Sequence, residues 1–181
     1  MKRTRFFLVP FIAATVLLAA APAHSFRILG GNVPEVGEEA LDFSLPATDG
    51  REVTLSDFKG KVILLSFWSC YTDQCFTSVN IIRNLLEEFH AQGLVAPTVC
   101  SEIPEALARN NYAELLKRCG LGQAVLVDAD RDVKGFYKVR KLPSSFLIGR
   151  GGRVVEQHLG FKVSEQDEYE AAIQAALNAE E

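Results

Sequence analysis

Residues 61–78 read KVILLSFWSCYTDQCFTS and contain two structural signals in succession. Lys61–Trp68 is an almost uninterrupted apolar run, which is typical of a central strand buried on both faces. Two cysteines, Cys70 and Cys75, follow it with four residues between them. The stretch therefore predicts a buried strand that leads into a helix, with two thiols at the junction. The apolar positions of that helix recur at three- and four-residue steps, at Val79, Ile82, Leu85, Leu86 and Phe89.

The segments on either side of this junction predict an α/β fold with a mixed sheet. Residues 41–60, LDFSLPATDGREVTLSDFKG, alternate in hydrophobicity around Asp49-Gly50 and predict a β-hairpin. The βαβ order that follows implies parallel central strands, and a hairpin at Gly151-Gly152 adds antiparallel ones. The predicted strands are Leu94–Val99, Ala124–Val127, Ser144–Ile148 and Val154–Leu159, and the predicted helices are Pro104–Lys117, Asp130–Tyr137 and Glu165–Leu177.

The composition fits one globular domain and narrows the classes of partner. The chain has 181 residues, 48% of them hydrophobic and 23% charged, enough for a sizeable core. Without three basic residues at the start, 16 basic residues face 23 acidic ones, a net charge of −7. This negative net charge does not favour binding to nucleic acid or to anionic membranes. His90 and His158 stand alone in the sequence, so no metal site is predicted.

Residues 1–25 are interpreted as a secretory signal peptide. Lys2, Arg3 and Arg5 precede an uncharged apolar stretch of 16 residues, and small residues around Ala23 suit a cleavage site. A retained membrane anchor is the alternative, although a spanning helix needs about 20 residues. Export places the protein in the periplasm or another extracytoplasmic space, where disulfides are permitted. If the signal is cleaved, no membrane contact is predicted.

Two long stretches resemble one known family. Residues 37–68, GEEALDFSLPATDGREVTLSDFKGKVILLSFW, resemble the opening of exported redoxins, and residues 125–160, VLVDADRDVKGFYKVRKLPSSFLIGRGGRVVEQHLG, resemble their second half. These are thiol–disulfide oxidoreductases of the TlpA and ResA type, related to the AhpC/TSA peroxiredoxins. The resemblance implies a thioredoxin-like fold over residues 34–179, a central mixed β-sheet flanked by helices, with the hairpin as an N-terminal extension. It implies no cofactor.

The cysteine spacing departs from this family. Its members place a first cysteine four residues after the Trp of the Phe-Trp pair and a second three residues later. Counted from Trp68, these positions are Thr72 and Cys75. Thr72 cannot replace a nucleophile whose pKa the helix start lowers to roughly 3.5–7.5, although it suits a helix N-cap. The resemblance leaves Cys70, two residues before the family position, as the candidate attacking thiol.

Three functions stay open at this stage. In the first, Cys70 and Cys75 form an altered C-x4-C centre that exchanges disulfides with client proteins and with a second redox partner protein. In the second, Thr72 and Cys75 form the T-x-x-C of a peroxiredoxin-like peroxidase, but Trp68 and Pro143 stand where peroxiredoxins carry a Pro and an Arg. In the third, the fold is a binding module without redox activity.

Three further residues are expected at the site. Trp68 is expected to pack beside it, and the resemblance implies a cis peptide bond before Pro143, which crosses the site in disulfide reductases. Cys100 ends a predicted strand at the same pole as Cys70 and Cys75, and is a candidate further redox thiol. Cys119 ends a helix at the opposite pole, so a Cys100–Cys119 disulfide is not expected.

Overall fold

The structure, a computed structural model, describes residues 34–69, 73–101, 125–160 and 163–179. In these ranges the chain forms strands β1 Ser44–Pro46, β2 Glu52–Thr54, β3 Val62–Trp68, β4 Leu94–Val95, β5 Thr98–Cys100, β6 Leu126–Val127, β7 Ser144–Ile148 and β8 Val154–Leu159. The α-helices in these ranges are α1 Asp73–Phe89, α2 Asp132–Phe136 and α3 Gln166–Asn178, and 3₁₀ turns cover Leu55–Phe58, His90–Gln92 and Val163–Glu165.

Strand β3 lies at the centre of a mixed sheet. The described strands are ordered β6-β5-β3-β7-β8, and β4 also pairs with β3. Strands β4 and β5 run parallel to β3, whereas β7 runs antiparallel to it and β8 antiparallel to β7. Every residue of β3 is buried, as its apolar sequence requires for a central strand covered on both faces. The predicted mixed sheet is confirmed.

The strand predicted over Leu94–Val99 is interrupted in the structure. It consists of β4 and β5, separated by Ala96 and Pro97, and ends one residue later, at Cys100. Both pieces pair with β3, so they act as one strand with a break. Proline has no N–H to give to a ladder, but the Pro97 carbonyl still accepts a hydrogen bond from Ser66 N at 3.1 Å. The break therefore leaves the register toward the site intact.

The N-terminal hairpin is a separate two-stranded sheet, as predicted. Strands β1 and β2 are antiparallel, with Leu45 opposite Val53. Gly50 closes the turn at a φ of 85°, which glycine adopts without steric cost. The hairpin packs on one face of the main sheet, because Phe43, Leu45 and Leu55 are buried in the same apolar cluster as Leu65 and Phe67.

The alternation of side chains along β3 divides the core into two parts. Val62 and Leu64 face α1 and α3 in a cluster with Leu85 and Ile173. On the other face, aromatic rings dominate the cluster below the hairpin. The ring of Phe67 lies 5.4 Å from that of Tyr137 and 6.0 Å from that of Phe146, centroid to centroid. Helices therefore cover one face and the hairpin with α2 covers the other.

Most predicted elements that fall in the described residues are confirmed. The bounds of β7 and β8 are those predicted, and α3 differs from its predicted range by one residue at each end. Helix α2 is shorter than predicted, because regular turns occupy only Asp132–Phe136. The helix predicted over Pro104–Lys117, the signal peptide at residues 1–25 and Ala124 lie outside the described residues.

Candidate active site

The candidate site lies at one edge of the main sheet. The carboxyl ends of β3, β5 and β6 meet there, and so does the amino end of β7, because β7 runs antiparallel to them. Trp68 is opposite Cys100 in the register, and Phe67 is opposite Ser144. The helix α1 begins at Asp73, five residues after β3 ends. Trp68, Cys75, Cys100 and Pro143 are thus all contributed at or near this edge.

Cys75 lies in the first turn of α1 and is fully buried. The Ser69 backbone N–H donates a hydrogen bond to its sulfur at 3.4 Å. One turn later, the Ser78 hydroxyl donates to the Cys75 carbonyl at 2.8 Å. The sulfur is therefore held between the end of β3 and the start of α1. A sulfur with no exposed surface cannot reach a protein-sized substrate directly, which suits the second thiol of a pair better than the first.

Pro143 is buried at the start of β7, and the Leu142–Pro143 peptide bond is cis, as expected from the sequence. It shares a small cavity, about 10 Å³, with residues of β3 and α1. The segment is held from both sides, since the Ser144 hydroxyl donates to the Lys141 carbonyl at 2.7 Å and accepts from Gly160 N at 3.2 Å. The cavity brings the proline next to Trp68, Ser78 and Val79.

Trp68 closes the same cavity and is only 1% exposed. Its ring is buried between strand and helix, which fits the expected packing role. Its indole Nε1 and the Ser66 hydroxyl have no hydrogen-bond partner among the described residues, although both atoms are buried. Cys100, also fully buried, is its cross-strand neighbour. The position of Cys100 at this pole agrees with the sequence analysis, while its redox role stays a prediction.

Three residues of the predicted chemistry lie outside the described residues. These are Cys70, Thr72 and Cys119. The C-x4-C pairing, the capping role of Thr72 and the separation of Cys100 from Cys119 therefore stay predictions. The structure ties the Cys75 sulfur to the end of β3 through Ser69, lines one cavity with Trp68 and Pro143, and sets Cys100 opposite Trp68 in the register.

A row of polar side chains crosses the sheet behind this site, and the sequence analysis missed it. Thr98, Ser66, Ser145 and His158 are successive cross-strand neighbours on the face covered by α1 and α3. The Ser145 and Tyr169 hydroxyls form a hydrogen bond of 2.7 Å, and burial raises the pKa of Tyr169. His158 stacks on the Tyr169 ring at 3.8 Å. The sequence signal for this row was the presence of serines inside otherwise apolar strands.

The outer end of this row is charged. The His158 Nε2 atom lies 2.7 Å from a Glu156 carboxylate oxygen, and its Nδ1 atom lies 4.0 Å from Glu165. From the sequence, His158 stands alone and has no predicted role. Its contacts join β8 to the start of α3. Through Tyr169 and Ser145, this connection continues to the strand that begins beside Pro143.

Replacing Tyr169 by Phe is expected to lower the free energy of unfolding by about 1–2 kcal/mol, because the buried Ser145 hydroxyl loses its partner. The ring that stacks on His158 is kept, so the loss reports the hydrogen bond. Denaturant unfolding measures it. Glu168→Ala, an exposed position on the same helix, is the control and should change stability by less than about 0.5 kcal/mol. Equal stabilities for wild type and Tyr169→Phe would contradict the assignment.

A buried carboxylate positions the segment that leads to Pro143. Asp128, at 2% exposure, accepts hydrogen bonds from the backbone N–H groups of Val133 at 3.2 Å and Lys134 at 2.8 Å, and from the Ser101 hydroxyl at 3.4 Å. It thereby caps α2 in the way an N-terminal carboxylate does. Burial raises the pKa of Asp128, and these hydrogen bonds offset the effect only in part.

The raised pKa of Asp128 gives a pH dependence with a definite sign. The folded state binds the proton more tightly than the unfolded chain, so the stability contributed by protonation is lost as pH rises through the folded pKa. Compared with Asp128→Asn, the wild type should therefore gain free energy of unfolding as pH falls from about 7 to about 4. Unfolding curves of both proteins across this range measure the difference. A difference that stays constant or reverses sign would refute the shift.

The described residues contain neither a metal-binding cluster nor a helix suited to a membrane. No cluster of three or more His, Cys, Asp or Glu side chains there is arranged to hold a metal ion. None of the helices described there combines the length and the apolar character needed to cross a membrane.

A family model described as the AhpC/TSA family matches residues 36–157 of the chain, which is most of its length. The chain belongs to this family. Within it, the chain is similar to the thiol-disulfide oxidoreductase ResA of Bacillus subtilis, at 34% identity over 152 residues that cover 81% of this chain and 82% of the relative. It is 29% identical to the ResA of Bacillus thuringiensis, with 83% and 88% covered.

Solved structures place this AhpC/TSA family chain in the thioredoxin-like fold. A protein from Chlorobium tepidum, described as a thiol:disulfide interchange protein DsbE, superposes with a TM-score of 0.71 at 30% identity, covering 77% of this chain and 96% of that one. An exposed lipoprotein thioredoxin of Streptococcus pneumoniae gives 0.62 at 30% identity, covering 74% and 98%. The predicted fold class is confirmed, and these relatives support an oxidoreductase activity on thiols and disulfides.

Proposed function

We propose that this protein is an exported thiol–disulfide oxidoreductase in which Cys70 and Cys75 form the redox pair. The observation that carries the proposal is the burial of Cys75 in the first turn of α1, where its sulfur accepts a hydrogen bond from Ser69 N, directly after Trp68. The ResA relatives support the reaction class. Since Cys75 is inaccessible, Cys70 is the thiol that meets the client, and Cys75 resolves.

The cycle needs two thiols and two proteins. The Cys70 thiolate attacks one sulfur of a client disulfide, forming a mixed disulfide and releasing the other client sulfur as a thiolate, which takes a proton. The Cys75 thiolate then attacks Cys70, so the Cys70–Cys75 disulfide forms and the second client sulfur leaves as a thiolate. Two electrons have passed to the client. A dithiol protein, the redox partner, returns them to the Cys70–Cys75 pair by the same exchange.

A peroxidase is the runner-up, favoured by the family model and by the T-x-x-C spacing of Thr72 and Cys75. Two observations weigh against it. Peroxide must reach the attacking sulfur, and Cys75 has no exposed surface. Pro143, with a cis bond before it, occupies the position of the peroxiredoxin Arg. A binding module without redox activity is the third reading.

One set of assays on the mature chain distinguishes the three hypotheses. Reduction of insulin disulfides with dithiothreitol as electron donor should be faster with the protein than without it. Peroxide consumption in the same buffer should be no faster with the protein than without it. The reverse pattern would replace the proposal with the peroxidase, and inactivity in both assays would leave the binding module.

Export is part of the proposal, supported by the basic-apolar pattern of residues 1–25 and by relatives described as exposed or secreted. Expression in a bacterial host followed by intact-mass measurement tests it. The periplasmic product should begin between about residues 22 and 26. An uncleaved chain in the membrane fraction would favour the anchor, and an uncleaved chain in the cytoplasm would refute export.

A further inference from the structure

The connection from β6 to β7 carries an unusual charge pattern beside the candidate site. The connection, residues 128–143, has five basic and three acidic residues, but the acidic ones all precede residue 133, and residues 133–143 contain four basic residues and no acidic ones, although the chain as a whole is acidic at −4. The connection leaves the carboxyl end of β6 and returns at the amino end of β7, so both of its ends lie at the pole of Cys75. Three of the four basic residues, Lys138, Arg140 and Lys141, are exposed and are called the basic rim below.

The charged groups of the basic rim hold no other element in place within the part of the chain that the structure describes. Among the described residues, none of its three charged groups forms a hydrogen bond or a salt bridge. Other cations are engaged: Arg51 pairs with Asp49, and Arg150 donates to the Gly60 and Gln92 carbonyls. Three like charges within four residues repel one another, so their grouping contributes nothing to folding that these contacts reveal.

The backbone fixes the rim next to Pro143. Val139, between Lys138 and Arg140, is buried in the core, so its two neighbours are held outward. Val139 N donates to the Lys134 carbonyl at 3.0 Å, and the Lys141 carbonyl accepts from Ser144. The charges therefore surround the segment that precedes the cis bond. A partner would therefore meet a backbone that is already fixed, and only the three side chains would lose freedom on binding.

We propose that the basic rim is the docking surface for an acidic polypeptide segment next to the client's reactive disulfide. The proposal rests on the proposed function and specifies its substrate class. The surface suits a polypeptide because an apolar contact lies beside the charges: Leu159, at 55% exposure, is opposite Ser144 in the register. A chain of net negative charge otherwise repels acidic clients, and a local basic surface reverses this at the site.

Charge reversal tests the proposal with a matched control. Lys138→Glu/Arg140→Glu changes the charge at the site pole. Lys59→Glu/Lys61→Glu makes the same change at two exposed positions before β3 begins, at the opposite pole. The substrates are two synthetic peptides with the same disulfide loop, one flanked by Asp and Glu, the other by Lys. Both kcat/KM with dithiothreitol as donor and Kd by fluorescence anisotropy are measured, at low and high salt.

The rim variant should lose about tenfold in kcat/KM and in affinity for the acidic peptide at low salt. High salt should shrink the loss, because these charges are exposed. The control variant should match wild type. Equal values for the two variants would overturn the proposal. If no protein reduces either peptide, the proposed function fails, while the Kd values still decide whether the rim binds acidic segments.

An anionic lipid headgroup is the alternative partner for the basic rim, and a third measurement distinguishes it from an acidic polypeptide. Vesicles of phosphatidylglycerol and phosphatidylcholine are sedimented with wild type and both variants. If the proposal is right, wild type and the rim variant should sediment with the vesicles to the same extent. Vesicle binding lost in the rim variant, with peptide kinetics and Kd unchanged, would replace the polypeptide by a membrane surface and overturn the proposal.

Discussion

Replacing Cys75 by Ala is expected to abolish turnover of protein disulfides, with a fall in kcat of about 10³-fold or more, because residues that act as a unit fail together. Cys70 would still attack, but no thiol would release the mixed disulfide. The variant should therefore accumulate covalently bound to its client, as a species that dithiothreitol dissolves. Steady-state assays with a dithiol protein as electron donor, in place of dithiothreitol, measure the fall in kcat, and non-reducing gels show the trapped species.

Cys100→Ala is the matched comparison for this variant. Cys100 is as completely buried as Cys75 and lies opposite Trp68 in the register. If only Cys70 and Cys75 take part in the cycle, Cys100→Ala should reduce client disulfides repeatedly and should not accumulate as a mixed disulfide with the client. Loss of turnover in both variants would make Cys100 a member of the redox centre. Normal turnover by Cys75→Ala would contradict the cycle.

Replacing Phe67 by Ala is expected to lower the free energy of unfolding by about 3–5 kcal/mol, a large share of the total for a domain of this size. The ring is fully buried near the carboxyl end of β3 and packs edge-on against Phe146 and tilted against Tyr137. Its removal leaves a cavity that the two neighbouring rings and strand β7 cannot close without moving. Denaturant unfolding at fixed pH measures the loss.

Val155→Ala is the control for this prediction. Val155 lies on β8 and is 41% exposed. Its truncation should cost less than about 0.5 kcal/mol. A loss below about 1.5 kcal/mol for Phe67→Ala would mean that the aromatic cluster is loosely packed.

The sequence predicted the scaffold well where local pattern decides the structure. The strands β7 and β8 flank a glycine turn, and their predicted bounds are those observed. The apolar run of β3 identified the central strand for the same reason. The break at Ala96 and Pro97 was missed, because hydrophobicity continues through it while the proline removes a donor.

The site was predictable only in part, because it depends on which strands become neighbours. The cis bond before Pro143 came from the family resemblance, not from local pattern. The row of Thr98, Ser66, Ser145 and His158 joins four strands far apart in sequence, so no local window contains it. Serine in an apolar strand gives a weak signal until its partner, such as Tyr169, is known. The spacing of Cys70 and Cys75 likewise states a distance along the chain, not through space.

Peptide mapping across a range of redox potentials tests the central claim most directly. Cys70 and Cys75 lie on one tryptic peptide, residues 62–83, whereas Cys100 and Cys119 lie on two others. The mature protein is equilibrated with defined dithiothreitol ratios, alkylated and digested. We expect peptide 62–83 to pass reversibly, in one two-electron step, from two alkylated cysteines to an internal disulfide. Two alkylated cysteines at every potential, or a disulfide from this peptide to Cys100 or Cys119, would contradict the account.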